Sequence, residues 1–188
     1  MRRISLRLLP NLAAVVSIAI ALAAPTAAMA DVITLQIPGI PGDLTGVPGE
    51  KNPIEVLAVS SAVQNPAPGP GGGGGGGGAG KAVFSDFIIN KRFDTSSPAL
   101  FLKLVTGSTL QNAVITFFQD KPGVGLTKVF TITLTKVLVT NFQTAASENK
   151  RLAGEGQEQV NLNFHTIQLK DEVSGQQSCF DRTTNRVC

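Results

Sequence analysis

The chain has 188 residues, of which 43% are hydrophobic and 15% charged, with two cysteines and one histidine. This low charged fraction excludes a charge-rich disordered protein, and the few cysteines and histidines exclude a disulfide scaffold or a four-cysteine zinc site. Three of the 16 basic residues are arginines within residues 1–7, so the remaining 13 balance the 13 acidic residues and predict neither nucleic-acid nor membrane binding.

Residues 1–30 have the features of a cleavable export signal. A basic segment, MRRISLR, precedes an apolar stretch over 8–24, and Ala28 and Ala30 place small residues where a signal peptidase reads. We therefore predict cleavage before Asp31 and a periplasmic or secreted protein. A retained membrane anchor is the alternative, but its apolar run is short for a bilayer.

The first half of the remaining chain predicts three strands. Residues 32–37 alternate apolar and polar side chains, and the prolines and glycines that follow end this strand. A turn-rich loop over 42–53 leads to a second strand at 54–63. Residues 66–80, PAPGPGGGGGGGGAG, predict a flexible surface loop, and a third strand follows at 82–93.

One helix is predicted over residues 97–106. Ser97 can cap its start, and Pro98 suits the first helical position. The apolar residues recur at helical spacing, and Gly107 stands where a C-terminal cap is expected.

Three further strands are predicted at 112–120, 127–142 and 158–169. In the second, the apolar residues change from even positions, such as Leu134, to odd positions, such as Val137. Such a change reverses the buried face, so it predicts a β-bulge or a sharp bend. The pattern predicts a curved antiparallel β structure with one helix packed against it.

Five segments, in this order and spacing, resemble the Hcp (haemolysin-coregulated protein) family of type VI secretion: ITLQIPGIPGD, IEVLAVS, FSDFIINKRFDTSSPALF, ITLTKVLVTNF and EQVNLNFHTIQL. The resemblance implies a mainly β fold, an antiparallel β-barrel of two sheets with a flanking helix. It also implies a non-enzymatic protein whose hexameric rings stack into a tube. The expected domains are a signal peptide at 1–30, the Hcp-like domain at 31–172 and a tail at 173–188.

The resemblance also assigns a role to the loop that follows the first strand. In the family this loop contacts the next ring. The corresponding residues here are Gly42, Asp43, Leu44, Thr45, Gly46, Val47, Pro48, Gly49, Glu50, Lys51, Asn52 and Pro53.

No catalytic, cofactor or metal site is predicted. Gly75, Gly80 and Lys81 imitate a phosphate-binding loop, but Ala82 stands where Ser or Thr should hold magnesium. Nothing in the sequence brings a nucleophile and a carboxylate together with His165 as a catalytic arrangement would require. His165 is expected to lie half-exposed on a strand.

Cys179 and Cys188 begin and end the ten-residue segment CFDRTTNRVC. Export predicts a disulfide between them, and a bridge between neighbouring subunits is the alternative.

Two functions therefore remain in view. One is a ring- and tube-forming structural protein whose partners are copies of itself, with other secretion-system or effector proteins as further candidates. The other is an exported Hcp-like binding module that acts alone, which the export signal favours.

Overall fold

The structure is a computed structural model, and it describes residues 31–65, 81–146 and 156–188. These ranges hold twelve strands and one helix. The helix, α1, spans Ser97–Thr106. The strands are β1 (Val32–Gln36), β2 (Ile54–Val56), β3 (Ala58–Ser60), β4 (Val63–Gln64), β5 (Val83–Phe84), β6 (Phe87–Arg92), β7 (Leu110–Lys121), β8 (Gly125–Ala145), β9 (Gln157–Asn163), β10 (Thr166–Asp171), β11 (Gln177–Asp181) and β12 (Arg186–Val187).

Ten of the strands form one antiparallel sheet, and β4 and β5 form a separate two-stranded ribbon. The long strand β8 organises the large sheet. Its first part pairs with β7 on one side and β10 on the other, and its second part pairs with β9. From these neighbours the sheet continues to β1 and β2, to β11 and β12, and to β6 and β3.

The predicted bend in β8 is present. The buried side chains change from Ile132 and Leu134 to Val137 and Val139, and Lys136 between them has φ of 48°. This left-handed residue turns the strand, so that both apolar sets face one core. In the last predicted strand, 158–169, the buried residues also change from even positions, such as Leu162, to an odd one, Ile167. There the strand is broken, because Phe164 and His165 separate β9 from β10.

The mainly β fold with a helix over 97–106 is confirmed, but the expected closed barrel is not formed by the described residues. Two of the three outermost strands of the sheet, β2 (paired with β1) and β3 (paired with β6), are consecutive in the chain, and only Leu57 lies between them. The Leu57 amide donates to the Asn90 carbonyl at 2.8 Å. The chain changes partner at this point, so the ladder is interrupted.

The predicted bounds of α1 are confirmed, but the predicted cap residue is wrong by one position. Ser96 occupies the cap position and makes no capping hydrogen bond with its side chain, while Ser97 is the first helical residue. The C-terminal prediction is confirmed, since Gly107 has φ of 60° and its amide donates to the Leu104 carbonyl. Among the described residues, no helix has both the length and the apolar character needed to cross a membrane.

Candidate assembly surface

The loop from Gly42 to Pro53 is closed at its base by backbone hydrogen bonds. The Gly42 amide donates to the Asn52 carbonyl at 2.8 Å, and the Leu44 amide donates to the Pro53 carbonyl at 3.2 Å. A Cβ atom at position 42 would lie 2.5 Å from both the Ile54 Cα and the Pro53 carbonyl oxygen. Glycine is therefore required here, because these backbone atoms cannot move aside as a flexible side chain can.

The underside of the loop is packed on the sheet. Val47 is buried, and the Glu50 side chain is fully inaccessible to solvent. The only ion pair found for the Glu50 carboxylate within the described chain is with Lys128 Nζ, at 3.6 Å. Lys128 in turn lies over the Phe118 ring at 5.7 Å. The Glu50–Lys128 ion pair connects the loop to β8, and the Lys128–Phe118 contact connects β8 to β7.

A second attachment joins the loop to the segment before α1. The Asp43 carboxylate accepts a hydrogen bond from the Thr95 hydroxyl and another, at 3.2 Å, from the Thr95 amide. With both ends of the loop and its underside held, its outer side is a defined surface. The exposed residues of this surface are Asp43, Thr45, Gly46, Pro48, Gly49, Lys51 and Asn52.

Beneath the helix start lies a buried polar network that sequence reasoning missed. Lys91 Nζ, with no exposed surface, bonds Asp94 Oδ1 at 2.7 Å, the Arg92 carbonyl at 2.8 Å and a carboxylate oxygen of Glu158. The Ser97 hydroxyl donates to the same Glu158 oxygen at 2.7 Å. The network thereby joins β6, α1 and β9.

This network could have been predicted from the alternation of inward- and outward-facing residues along β6 and β9. Lys91 follows Phe87 and Ile89 at alternate positions of β6, and Glu158 precedes Val160 at an alternate position of β9. Because alternate residues share a face, both charges belong to the buried face, where unpaired charges are not tolerated. A lysine and a glutamate on inward faces therefore predict each other as partners.

The predicted tail is part of the large sheet. Strand β11 pairs with β10 over five residues, and β12 pairs with β11. A disulfide joins Cys179 to Cys188 within the chain, with their Cα atoms 5.3 Å apart.

The turn between β11 and β12 is anchored independently of the disulfide. Arg182 Nη1 donates to the Phe164 carbonyl at 2.6 Å, and its guanidinium lies 4.6 Å from the Phe164 ring centroid and 5.5 Å from that of Phe84. Backbone amides of Thr184 and Thr183 donate to the Asp181 carboxylate and hold its pKa below the ordinary value.

Two other carboxyl groups near β10 have lowered pKa values. Amides of Ser174 and Val173 donate to Asp171 and lower the pKa of that carboxyl. Hydrogen bonds from Lys170 and the Thr131 hydroxyl lower the pKa of Glu172. Asp171 and Asp181 thus stabilise turns, and Glu172 connects the residue after β10 to Thr131 of β8.

The residues considered for chemistry are not brought together. His165 is exposed at the bend between β9 and β10, and its amide donates to the Thr135 carbonyl. The described ranges contain no group of three or more His, Cys, Asp or Glu residues placed to hold a metal. The glycine run and the proposed cleavage residues Ala28 and Ala30 lie outside the described residues.

The fold is shared with solved Hcp structures. The chain is similar to Hcp1 from Salmonella typhimurium (24% identity, TM-score 0.69), with 85% of this chain and 100% of that chain covered. It is also similar to Hcp1 from the E. coli EAEC 042 pathovar (21%, TM-score 0.66; 82% and 99% covered). A type VI secretion system effector from Yersinia pestis is a third similar structure (22%, TM-score 0.62; 79% and 98% covered). These likenesses place the chain in the class of Hcp-like β folds.

The family model described as type VI secretion system effector, Hcp, matches residues 34–170, which is more than half of the chain. The chain therefore belongs to the Hcp family of type VI secretion, and the resemblance drawn from its sequence is confirmed. No curated protein matches the chain.

Proposed function

We propose that this protein is a non-enzymatic structural component of type VI secretion that forms hexameric rings, which stack into a tube. The observation that carries the proposal is the family match together with a fold that covers the whole length of Hcp1 from Salmonella typhimurium. A closed ring needs two complementary surfaces on each copy and no reactive side chain. The balanced charge of residues 31–188 adds little repulsion between copies.

The loop from Gly42 to Pro53 is proposed as the contact between stacked rings. Support comes from its attachment: Asp43 bonds Thr95, Val47 is buried, and Glu50 pairs with Lys128. A loop held at these points loses little conformational freedom on contact, so its exposed side is ready for a neighbouring copy.

The oligomer is tested by native mass spectrometry and sedimentation of residues 31–188. Hexamers are expected, and a monomer that persists at high protein concentration contradicts the proposal. The loop is tested with Thr45→Lys, which adds a bulky charge to its exposed side. This variant should still form rings but should not stack in electron micrographs, whereas Thr183→Lys, on the exposed hairpin turn, should stack normally.

A second candidate function is an exported Hcp-like module that works alone. The features of residues 1–30 favour it, because a subunit that crosses a membrane by itself is separated from a tube assembled in the cytoplasm. N-terminal sequencing of the exported protein should then begin at Asp31, and the retained Met1 would contradict cleavage. A monomer with this start would support the second function over the first.

A further inference from the structure

The disulfide lies where a small molecule can reach it. Cys179 belongs to β11 and is half-buried, whereas Cys188 directly follows β12 and is exposed. Both cysteines line a groove of about 500 Å³ whose walls are mostly apolar side chains. The exchange of a disulfide with a thiol depends on such access. A small thiol can therefore approach this bridge while the protein is folded.

Strand β12 has few other contacts within the described chain. It pairs with β11 through only two residue pairs, and the Cys188 amide donates to the Cys179 carbonyl at 3.3 Å. Val187 is 78% exposed, so the pairing buries little apolar surface. Without a covalent link, a strand held by so few contacts opens far more often than the rest of the sheet.

The remainder of the hairpin is held independently of the bridge. Strand β11 pairs with β10 over five residues. Arg182, which follows β11, donates from its amide to the His165 carbonyl at 2.9 Å and from Nη1 to the Phe164 carbonyl at 2.6 Å. The Asp181 carboxylate accepts two backbone amides of the turn. Breaking the bridge should therefore free β12 and leave β11 in place.

We propose that the Cys179–Cys188 bridge is a thiol–disulfide exchange site, which locks β12 in oxidising surroundings and releases it in the presence of small thiols. The two candidate functions place the protein in different surroundings, since a tube assembles in the reducing cytoplasm and an exported module acts in an oxidising compartment. The hairpin is unlocked in the first and locked in the second. This inference goes beyond the ring proposal and does not depend on it.

Reduction of the bridge consumes two thiol molecules. The thiolate of the first attacks the more exposed sulfur, that of Cys188, and forms a mixed disulfide, while the Cys179 sulfur leaves as a thiolate and takes a proton from water. The second thiolate attacks the sulfur of the first, so that a small-molecule disulfide leaves and the Cys188 thiolate is protonated. The two small thiols supply the two electrons, and a small-molecule disulfide reverses both steps.

Hydrogen exchange followed by mass spectrometry on residues 31–188 tests the release of β12. Reduction with dithiothreitol should speed the exchange of protected amides in the peptide 183–188 by about 30- to 150-fold, the factor expected when so short a closed loop is opened. The peptide 166–171, which contains β10, should be unaffected. Reoxidation with oxidised glutathione should restore slow exchange. The double variant Cys179→Ser with Cys188→Ser should exchange fast under both conditions.

The rate of reduction tests the access of the thiol to the bridge. In native buffer, dithiothreitol should reduce the bridge at a rate within about tenfold of that in urea, because an accessible bridge does not wait for unfolding. Reduction no faster than global unfolding would overturn the inference, as would unchanged exchange in the peptide 183–188 or loss of protection throughout the sheet. None of these outcomes bears on whether the protein forms hexamers, which leaves the ring proposal to its own test.

Discussion

Replacement of Lys91 by Met tests whether the buried network determines the stability of the fold. The change keeps most of the side-chain length but removes the charge that Asp94 and Glu158 share. Glu158 has no exposed side-chain surface, and its second carboxylate oxygen makes no hydrogen bond within the described chain. The variant would therefore leave a buried carboxylate without its counter-charge.

The size of the effect follows from this burial. Removing one partner of a buried ion pair costs about 3–5 kcal/mol of unfolding free energy, because the remaining charge stays desolvated. For a chain of this length such a loss lowers Tm by roughly 6–20 °C. Lys170 and Glu172 form a partly exposed ion pair, and Lys170→Met should cost less than about 1 kcal/mol.

The assay is urea unfolding of residues 31–188 with the disulfide intact, followed by circular dichroism at neutral pH. The double variant Lys91→Met with Glu158→Gln should recover part of the loss, because no uncompensated charge remains. A Lys91→Met variant as stable as Lys170→Met would show that the network contributes little and would refute the reasoning.

Three further predictions concern the loop base, the disulfide and pH. Gly42→Ala should lower the unfolding free energy by about 1–3 kcal/mol, because the new Cβ meets backbone atoms that cannot move aside. Gly156→Ala should cost less, because its new Cβ meets the half-exposed side-chain ring of Phe93, which can rotate away, and equal losses in urea unfolding would contradict this. Intact mass under non-reducing conditions should show the Cys179–Cys188 bridge as a monomer lighter by two hydrogen atoms, whereas a covalent dimer would exclude a bridge within the chain. The Cys188→Ser variant should lose about 2–3 kcal/mol of unfolding free energy. The folded-state pKa of Asp181 lies below its unfolded value, so the stability that this carboxylate adds is present above the unfolded pKa and is lost as pH falls through the folded pKa. Asp181→Asn should therefore flatten the decrease of Tm below about pH 4, and a pH profile identical to that of the wild type would contradict this role of Asp181.

Much of the fold could be predicted because it depends on local patterns. The bounds of α1 follow from Pro98 and Gly107, whose backbone preferences act within a few residues. The bend at Lys136 follows from the parity of the apolar residues, since a strand must bury one face. The cap was misplaced by one residue because Ser97 bonds Glu158, a partner far away in sequence.

The sequence by itself determined the family, the β class, the helix over 97–106 and the position of the disulfide-bonded cysteines, since motif order, periodicity and residue spacing are all readable along the chain. Only the tertiary structure decided that Lys91 shares Glu158 with Ser97, that the ladder is interrupted at Leu57, and that the cysteine hairpin walls an apolar groove. These features join residues distant in sequence. Their geometry depends on which strands become neighbours, and a local pattern does not contain that information.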